Sequence, residues 1–175
     1  MPTLAQLRSN FAITGRLVWI GLRPAQGEPM QIVPRVQVLG GRGLAGDRKA
    51  QRSGGERQVT LFQHEHLAAL ASLLGRDAVA PEAMRRNLAV AGINLLALRA
   101  RRFKIGAVLF EGTGYCAPCR RLEDTLGHGG FNASRGHGGI TARALEDGWI
   151  AIGDEVSAVG ADAARGDDEV DSSFA

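Results

Sequence analysis

Short apolar runs broken by glycine, proline or aspartate follow one another along the chain, and few carry the three-to-four-residue spacing of an amphipathic helix. Strands are expected over residues 16–22, 35–39, 57–62, 87–91, 102–105, 108–112, 140–145 and 150–152, each bounded by turn-forming residues. A final strand over 155–159 follows a turn at Gly153-Asp154. So many short strands favour a curled or closed sheet. The clearest helical spacing is Leu67, Leu70, Leu73 and Leu74, which predicts a helix over 63–74 stopped by Gly75. A shorter helix is expected over 118–126, ended by Gly127. Glu146-Asp147-Gly148 reads as a tight hairpin between the strands on either side, because Asp-Gly readily takes positive φ.

The 175 residues suit one domain, since compact domains usually run about 100–200 residues. With 45% apolar and 22% charged residues, the chain has enough apolar surface to offset its ordering entropy, which excludes the disordered and fibrous classes. No apolar run reaches the roughly 18–20 residues of a bilayer span, and the first residues lack a signal-peptide layout, so a cytoplasmic protein with no membrane contact is expected.

Net charge is +3, but residues 161–175 hold five acids (Asp162, Asp167, Asp168, Glu169, Asp171) against Arg165 alone. The remaining 160 residues carry 20 bases and 13 acids, a net +7. A basic body with a solvated acidic tail over 161–175 is therefore expected. Nineteen of the 21 bases are Arg, whose planar fork binds phosphate and carboxylate in bidentate fashion. With only 5% aromatic residues and no basic stripe interleaved with them, a small anionic ligand fits better than nucleic acid. Two Gly-rich stretches, 40–52 and 127–139, mix glycine with Arg, His or Asp and suit either anion binding or plain surface loops.

Cys116 and Cys119 are the only cysteines, in Tyr115-Cys116-Ala117-Pro118-Cys119-Arg120-Arg121. The expected helix places Cys119 near a helix N-terminus beside two guanidinium groups, which favour thiolate over thiol. The motif superficially looks like a thioredoxin dithiol, but it follows a long strand-rich stretch rather than an early βαβ unit. A zinc site needs two further ligands. His64 and His66 are two apart and do not share a helix face, while His128 and His137 sit in the second Gly-rich stretch as polar loop residues.

Five segments, taken in order, resemble one family, the MOSC domain, named for the C-terminal domain of molybdenum cofactor sulfurase. Gly43-Leu44-Ala45-Gly46-Asp47-Arg48 looks like its early G-L-x-G-D turn, and Arg57-Gln58-Val59-Thr60-Leu61 like the strand that follows. Met84-Arg85-Arg86-Asn87-Leu88 looks like its R-x-N-[IL] element. Cys116-Ala117-Pro118-Cys119 carries its Pro-Cys signature, and Gly138-Gly139-Ile140 through Gly153-Asp154-Glu155-Val156 resembles its closing strands. The resemblance spans about residues 15–160.

It implies a mainly β, barrel-like single domain with a few helices, over residues 15–160, in a cytoplasmic protein that interacts with the molybdenum cofactor (molybdopterin). The cysteine matching Cys119 is thought in this family either to carry sulfur as a persulfide or to ligate molybdenum. Arg48, Arg57, Arg85 and Asn87 are the candidate cofactor-binding residues, although Asn87 equally suits a local role in satisfying backbone groups. Cys116 lies outside the family's minimal motif and is either a resolving thiol or incidental. The chain has no room for a pyridoxal-phosphate desulfurase domain, so sulfur transfer would need a separate desulfurase. Three functions stay open: a sulfur carrier or transferase, a molybdenum-dependent reductase of N-hydroxylated compounds served by an electron-transfer partner, and a redox-sensitive interaction module.

Overall fold

The computed structural model describes residues 1–160, so the expected acidic tail over 161–175 lies outside the described residues. The chain opens with a short helix α1 (Leu4–Ser9), which Thr3 and Gln6 cap reciprocally, and passes into β1 (Gly15–Leu22), β2 (Gln31–Ile32), β3 (Arg35–Leu39) and β4 (Gly43–Leu44). A 3-10 turn (Arg48–Gln51) leads to β5 (Val59–Gln63), α2 (His66–Leu73), a second 3-10 turn (Pro81–Met84) and β6 (Leu88–Ala91). A third 3-10 turn (Leu95–Leu98) precedes β7 (Arg102–Ile105) and β8 (Val108–Tyr115). Two short helices, α3 (Arg120–Leu126) and α4 (Gly130–Ala133), then give way to β9 (Ile140–Ala144), β10 (Gly148–Ala151) and β11 (Glu155–Ala158).

Seven strands, in the order β11-β7-β8-β9-β5-β6-β1, close into a barrel where β1 pairs back onto β11 through Gly15↔Val156 and Arg16↔Glu155. Closure removes the open edges that a sheet of short strands would expose. The pairings are antiparallel except β5–β6, whose parallel register (Leu61↔Leu88) requires a crossover, and α2 supplies it. A small sheet, β10-β3-β4, lies beside the barrel.

Successive residues of a strand face opposite ways, and here both faces of β5 and β6 are covered. Leu61, Leu88 and Val90 point into the barrel core with Leu17, Phe103 and Phe110. Phe62 and Ala89 point outward into a second cluster roofed by Leu70 of α2 and by Leu122 and Leu126 of α3. This double cover explains why residues 59–62 are apolar or small throughout rather than alternating.

The expected hairpin around Asp147-Gly148 does not form. β9 pairs with β8 and β5, whereas β10 pairs with β3, Gly148 opposite Val38. Gly148 lacks positive φ, and Asp147 spends its carboxylate on the Gly40 amide (2.7 Å), so the dipeptide carries the chain from one sheet to the other. The expected helix over 63–74 is shorter because Gln63 still belongs to β5. Helices α1 and α4 had no periodic apolar signal, and α1 buries no residue.

One buried polar cluster ties these pieces together. Asp47 accepts from the Arg23 backbone N (2.9 Å), Arg23 Nε (3.0 Å) and Nη2 (3.2 Å), the Lys49 amide (2.9 Å) and Asn87 Nδ2 (2.7 Å). Asn87, fully buried, also donates to Gly21 O and accepts from Arg23 Nη2 and from the amide and hydroxyl of Thr60. The turn that delivers Asp47 depends on Gly43, whose φ is +113° and where a Cβ would press to 2.9 Å from the Gln58 carbonyl.

Burial alone would raise the Asp47 pKa, but the hydrogen bond and charge of Arg23, with the Lys49 and Arg23 amides, outweigh it and hold the carboxyl below its usual value. A carboxyl lowered on folding contributes stability that is present above its unfolded pKa and lost as pH falls through the folded value. Asp47→Ala, which strands the Arg23 guanidinium, is expected to cost about 3–5 kcal/mol and to flatten the acid limb of stability against pH, both read by urea unfolding.

Candidate functional site

The chain that follows the G-L-A-G-D turn, from Arg48 to Gln58, lines with Pro24, Ala25 and Gln26 a cleft of about 790 Å³, a size typical of small-molecule sites at roughly 300–1,000 Å³. Arg48, Lys49, Arg52 and Arg57 supply four cations to its wall against one carboxylate, Glu56. Arg48 and Arg57, both expected at a ligand, are thus brought to one cavity. Arg48 Nε is buried with no hydrogen-bond partner.

Arg85 stands apart from the other expected residues in its backbone. It follows the Pro81–Met84 turn with φ of 54°, the one non-glycine positive φ among the described residues, a strained conformation of the kind that clusters at functional sites. Its Nη1 donates to Glu28 O (2.8 Å), while its Nε is buried without a partner. Burial, and then the charges of Arg121, Arg23 and Arg48, press its pKa below the usual guanidinium value. Arg85 thus feels the charges of Arg121, Arg23 and Arg48, of which Arg23 is already paired with Asp47, and an anionic ligand would relieve the remaining excess of positive charge.

Asn87 has no polar atom to offer a ligand. Both ends of its amide are occupied within the Arg23–Asp47–Thr60 cluster, so it positions the strand end beside Arg85 rather than touching what Arg85 faces. Of the two roles the sequence leaves open for Asn87, its hydrogen bonds are those of the local one. The backbone explains the split: Arg85 takes the left-handed position that ends the Pro81–Met84 turn and is part-exposed, while Asn87, just before β6, turns into the fold.

Arg86, inside the same motif, is not among the expected site residues. It is buried, and its Nε donates to Gly138 O (3.0 Å) while Nη2 donates to Ala117 O (3.1 Å) and, longer, to Cys116 O (3.4 Å). The Cys116 amide in turn donates to Gly139 O (2.9 Å). Gly139, at φ +88°, lies so close to β5 that a Cβ would collide with the Leu61 carbonyl. One guanidinium and one glycine therefore fix the cysteine loop against the second Gly-rich stretch.

The two thiols differ. Cys119 is exposed at the N-cap of α3 and Cys116 is half-buried, and neither is in a disulfide. Burial pushes the Cys116 thiol up, with the charges of Arg86, Arg23 and Arg57 partly offsetting it. Those same charges place the cysteine loop within electrostatic reach of the basic cleft. α3 packs against the turn that presents Arg85, where Thr125 donates to Ala83 O (2.7 Å), so Cys119 and Arg121 sit at the Arg85 end of the cluster. Among the described residues no three His, Cys, Asp or Glu side chains converge as a metal cage. His137, read as a plain loop residue, packs edge-on against His66 at 4.6 Å between ring centroids.

A closed barrel that carries a basic cleft and a cysteine loop defines the class of fold. Residues 37–157 match the model of the MOSC domain, and the chain belongs to that family, which is commonly related to the molybdenum cofactor. Solved structures agree on the fold. The YuaD protein from Bacillus subtilis is 18% identical over 85% of this chain and 98% of its own, with a TM-score of 0.70. YiiM from Geobacillus stearothermophilus is 18% identical over 83% of this chain and 75% of its own (TM-score 0.68). YiiM from Escherichia coli is 18% identical over 83% and 70% (TM-score 0.63). No curated protein matches.

Replacing Arg86 by Met removes the three carbonyl contacts of the cysteine loop. Faster amide hydrogen exchange is expected at Cys116 and across 136–139, with β7 and β11 unchanged, because hydrogen bonds to charged groups are worth about 1.5–3 kcal/mol.

Proposed function

We propose that this protein binds the molybdenum cofactor and carries sulfur on Cys119. The observations that support the reading are the four cations lining one cleft, the buried Nε atoms of Arg48 and Arg85 without hydrogen-bond partners, and the exposed thiol of Cys119 at the N-cap of α3. The residues suit the group: guanidinium forks match a pterin phosphate, and a soft thiolate is a suitable ligand or sulfur acceptor near molybdenum. Arg48, Arg57 and Arg85 would hold the anion. When bound, the cofactor supplies the metal centre at which sulfur is delivered.

In the loading step the Cys119 thiolate attacks the terminal sulfur of a donor protein's persulfide. A bond forms between Cys119 Sγ and that sulfur, the donor S–S bond breaks, and the donor cysteine leaves as thiolate, so no external oxidant is needed. A pyridoxal-phosphate-dependent cysteine desulfurase is the expected donor. Cys116 resolves the persulfide by attacking Cys119 Sγ and releasing hydrosulfide. Its raised pKa keeps it protonated near neutrality, which protects the carrier.

The exposure of Cys119 also favours a second reading, in which its sulfur is a standing molybdenum ligand in a reductase supplied by an electron-transfer partner. Elemental analysis for molybdenum, oxidised-pterin fluorescence and persulfide labelling, on protein from cells able to make the cofactor, separate the two. Pterin with a persulfide lost in Cys119→Ser supports the carrier. Stoichiometric molybdenum lost in that variant supports the reductase. Neither pterin nor molybdenum in the unaltered protein overturns both.

Arg85→Ala is expected to lower pterin retention about tenfold or more at unchanged unfolding midpoint, because the replacement keeps the backbone and removes one charge-assisted contact. Persulfide discharge from Cys119 is expected to quicken as pH rises through the raised Cys116 pKa, and to lose that pH dependence in Cys116→Ser. Hydrosulfide release measured from pH 7 to 10 checks it.

A further inference from the structure

A second cavity, of about 320 Å³, opens at the cysteine loop, lined by Tyr115, Cys116, Ala117 and Pro118 but not by Cys119. Leu95, Leu96, Tyr115, Cys116, Pro118 and Ile140 form most of its wall. Neither Arg nor Lys lines it, in contrast to the four cations of the basic cleft.

Most of its polar lining is already spent, the exception being the buried Nδ1 of His66, which has no hydrogen-bond partner. Gln63 donates to Glu65 (2.6 Å) and accepts from the Leu95 amide (2.9 Å), and Asn94 Oδ1 accepts from the Leu96 amide (3.1 Å). The Gly138 and Gly139 carbonyls are taken by Arg86 and by the Cys116 amide. His66 contributes a ring whose pKa is lowered by burial and then by His137, despite Glu65 pulling the other way, so the ring is neutral at pH 7. A charged guest would be stripped of water there with no opposite charge to replace it, at a cost of several kcal/mol, whereas one polar atom of a neutral guest could still pair with His66 Nδ1. An apolar guest would gain about 25 cal/mol for each Å² it removes from water.

We propose that this cavity is a binding site for a neutral, largely apolar small molecule about the size of an aromatic bicycle, seated against Cys116 and Leu96. The further role of that molecule, as the organic substrate of chemistry at the neighbouring cleft, rests on the cofactor reading. The site itself does not.

Indole is the probe, titrated into the full ¹⁵N-labelled, reduced chain. The largest amide shifts are expected at Leu96, Tyr115, Ala117 and Gly138. Indole-3-acetate, which adds a carboxylate, is expected to bind at least about tenfold more weakly, as is indole itself to Leu96→Asp; Leu96 is 48% exposed, so that variant should fold. Indole should slow alkylation of Cys116 by iodoacetamide and leave Cys119 unaffected. Shifts scattered over the surface or centred elsewhere, equal binding of indole-3-acetate, or equal protection of both thiols would overturn the site. Arg85→Ala should leave indole binding intact. If the protein holds neither molybdenum nor pterin while indole still maps to the cavity, the cofactor reading falls and the binding site stands.

Discussion

The ion pair between Arg23 and Asp47, closed off by Asn87, is the constraint on which the rest of the molecule is arranged. It joins the end of β1, the turn after β4, the start of β5 and the start of β6 at one buried point. A buried pair of this kind gives little net stability over an apolar core, but breaking it is expensive, because one partner is then left charged and dry. Its consequence is positional. With Asn87 locked, the residues before it have only one way to leave the strand, and Arg85 and Arg86 are sent to different tasks.

Those tasks meet at the cysteine loop. Arg86 spends its charge on backbone carbonyls, which keeps an unneutralised cation beneath the loop, while Arg85 remains short of partners and crowded by its own kind. The loop therefore separates two environments within a few residues. Cys119 is exposed beside Arg120 and Arg121, and Cys116 borders a cavity whose lining holds no Arg, Lys, Asp or Glu. The close C-x-x-C spacing thus places two thiols in different solvents rather than making them equivalent.

The strands of the barrel were legible because their lengths and breakers are local properties; β3 and β7 fall on the expected residues 35–39 and 102–105. Topology was less so. Asp147-Gly148 has the composition of a hairpin, and only the distant Gly40 amide and the β3 edge redirect it. At the site, Arg48 and Arg57 could be found by residue type, since a guanidinium near glycines suits an anion. The roles of Asn87 and Arg86 could not be separated that way. Both are polar residues in one short motif, and their division depends on which carbonyls lie overhead, a fact set by strands far away in the chain. The contact of His66 with His137 was hidden for the same reason.

The barrel's seam joins residues 15 and 16 to residues 155 and 156 by only two opposed pairs. During synthesis, β1 emerges early and cannot meet its partner until nearly all the described chain has left the ribosome. For that interval β1 and β7 are free edges, able to add a strand from another nascent chain. Closure also carries a high loop-entropy cost before it returns any contact energy, so its folding belongs to the slow, non-local class. The seam that leaves the finished barrel without an open edge is thus the last part of it to exist, and the interval before it forms is when the chain is most exposed to aggregation.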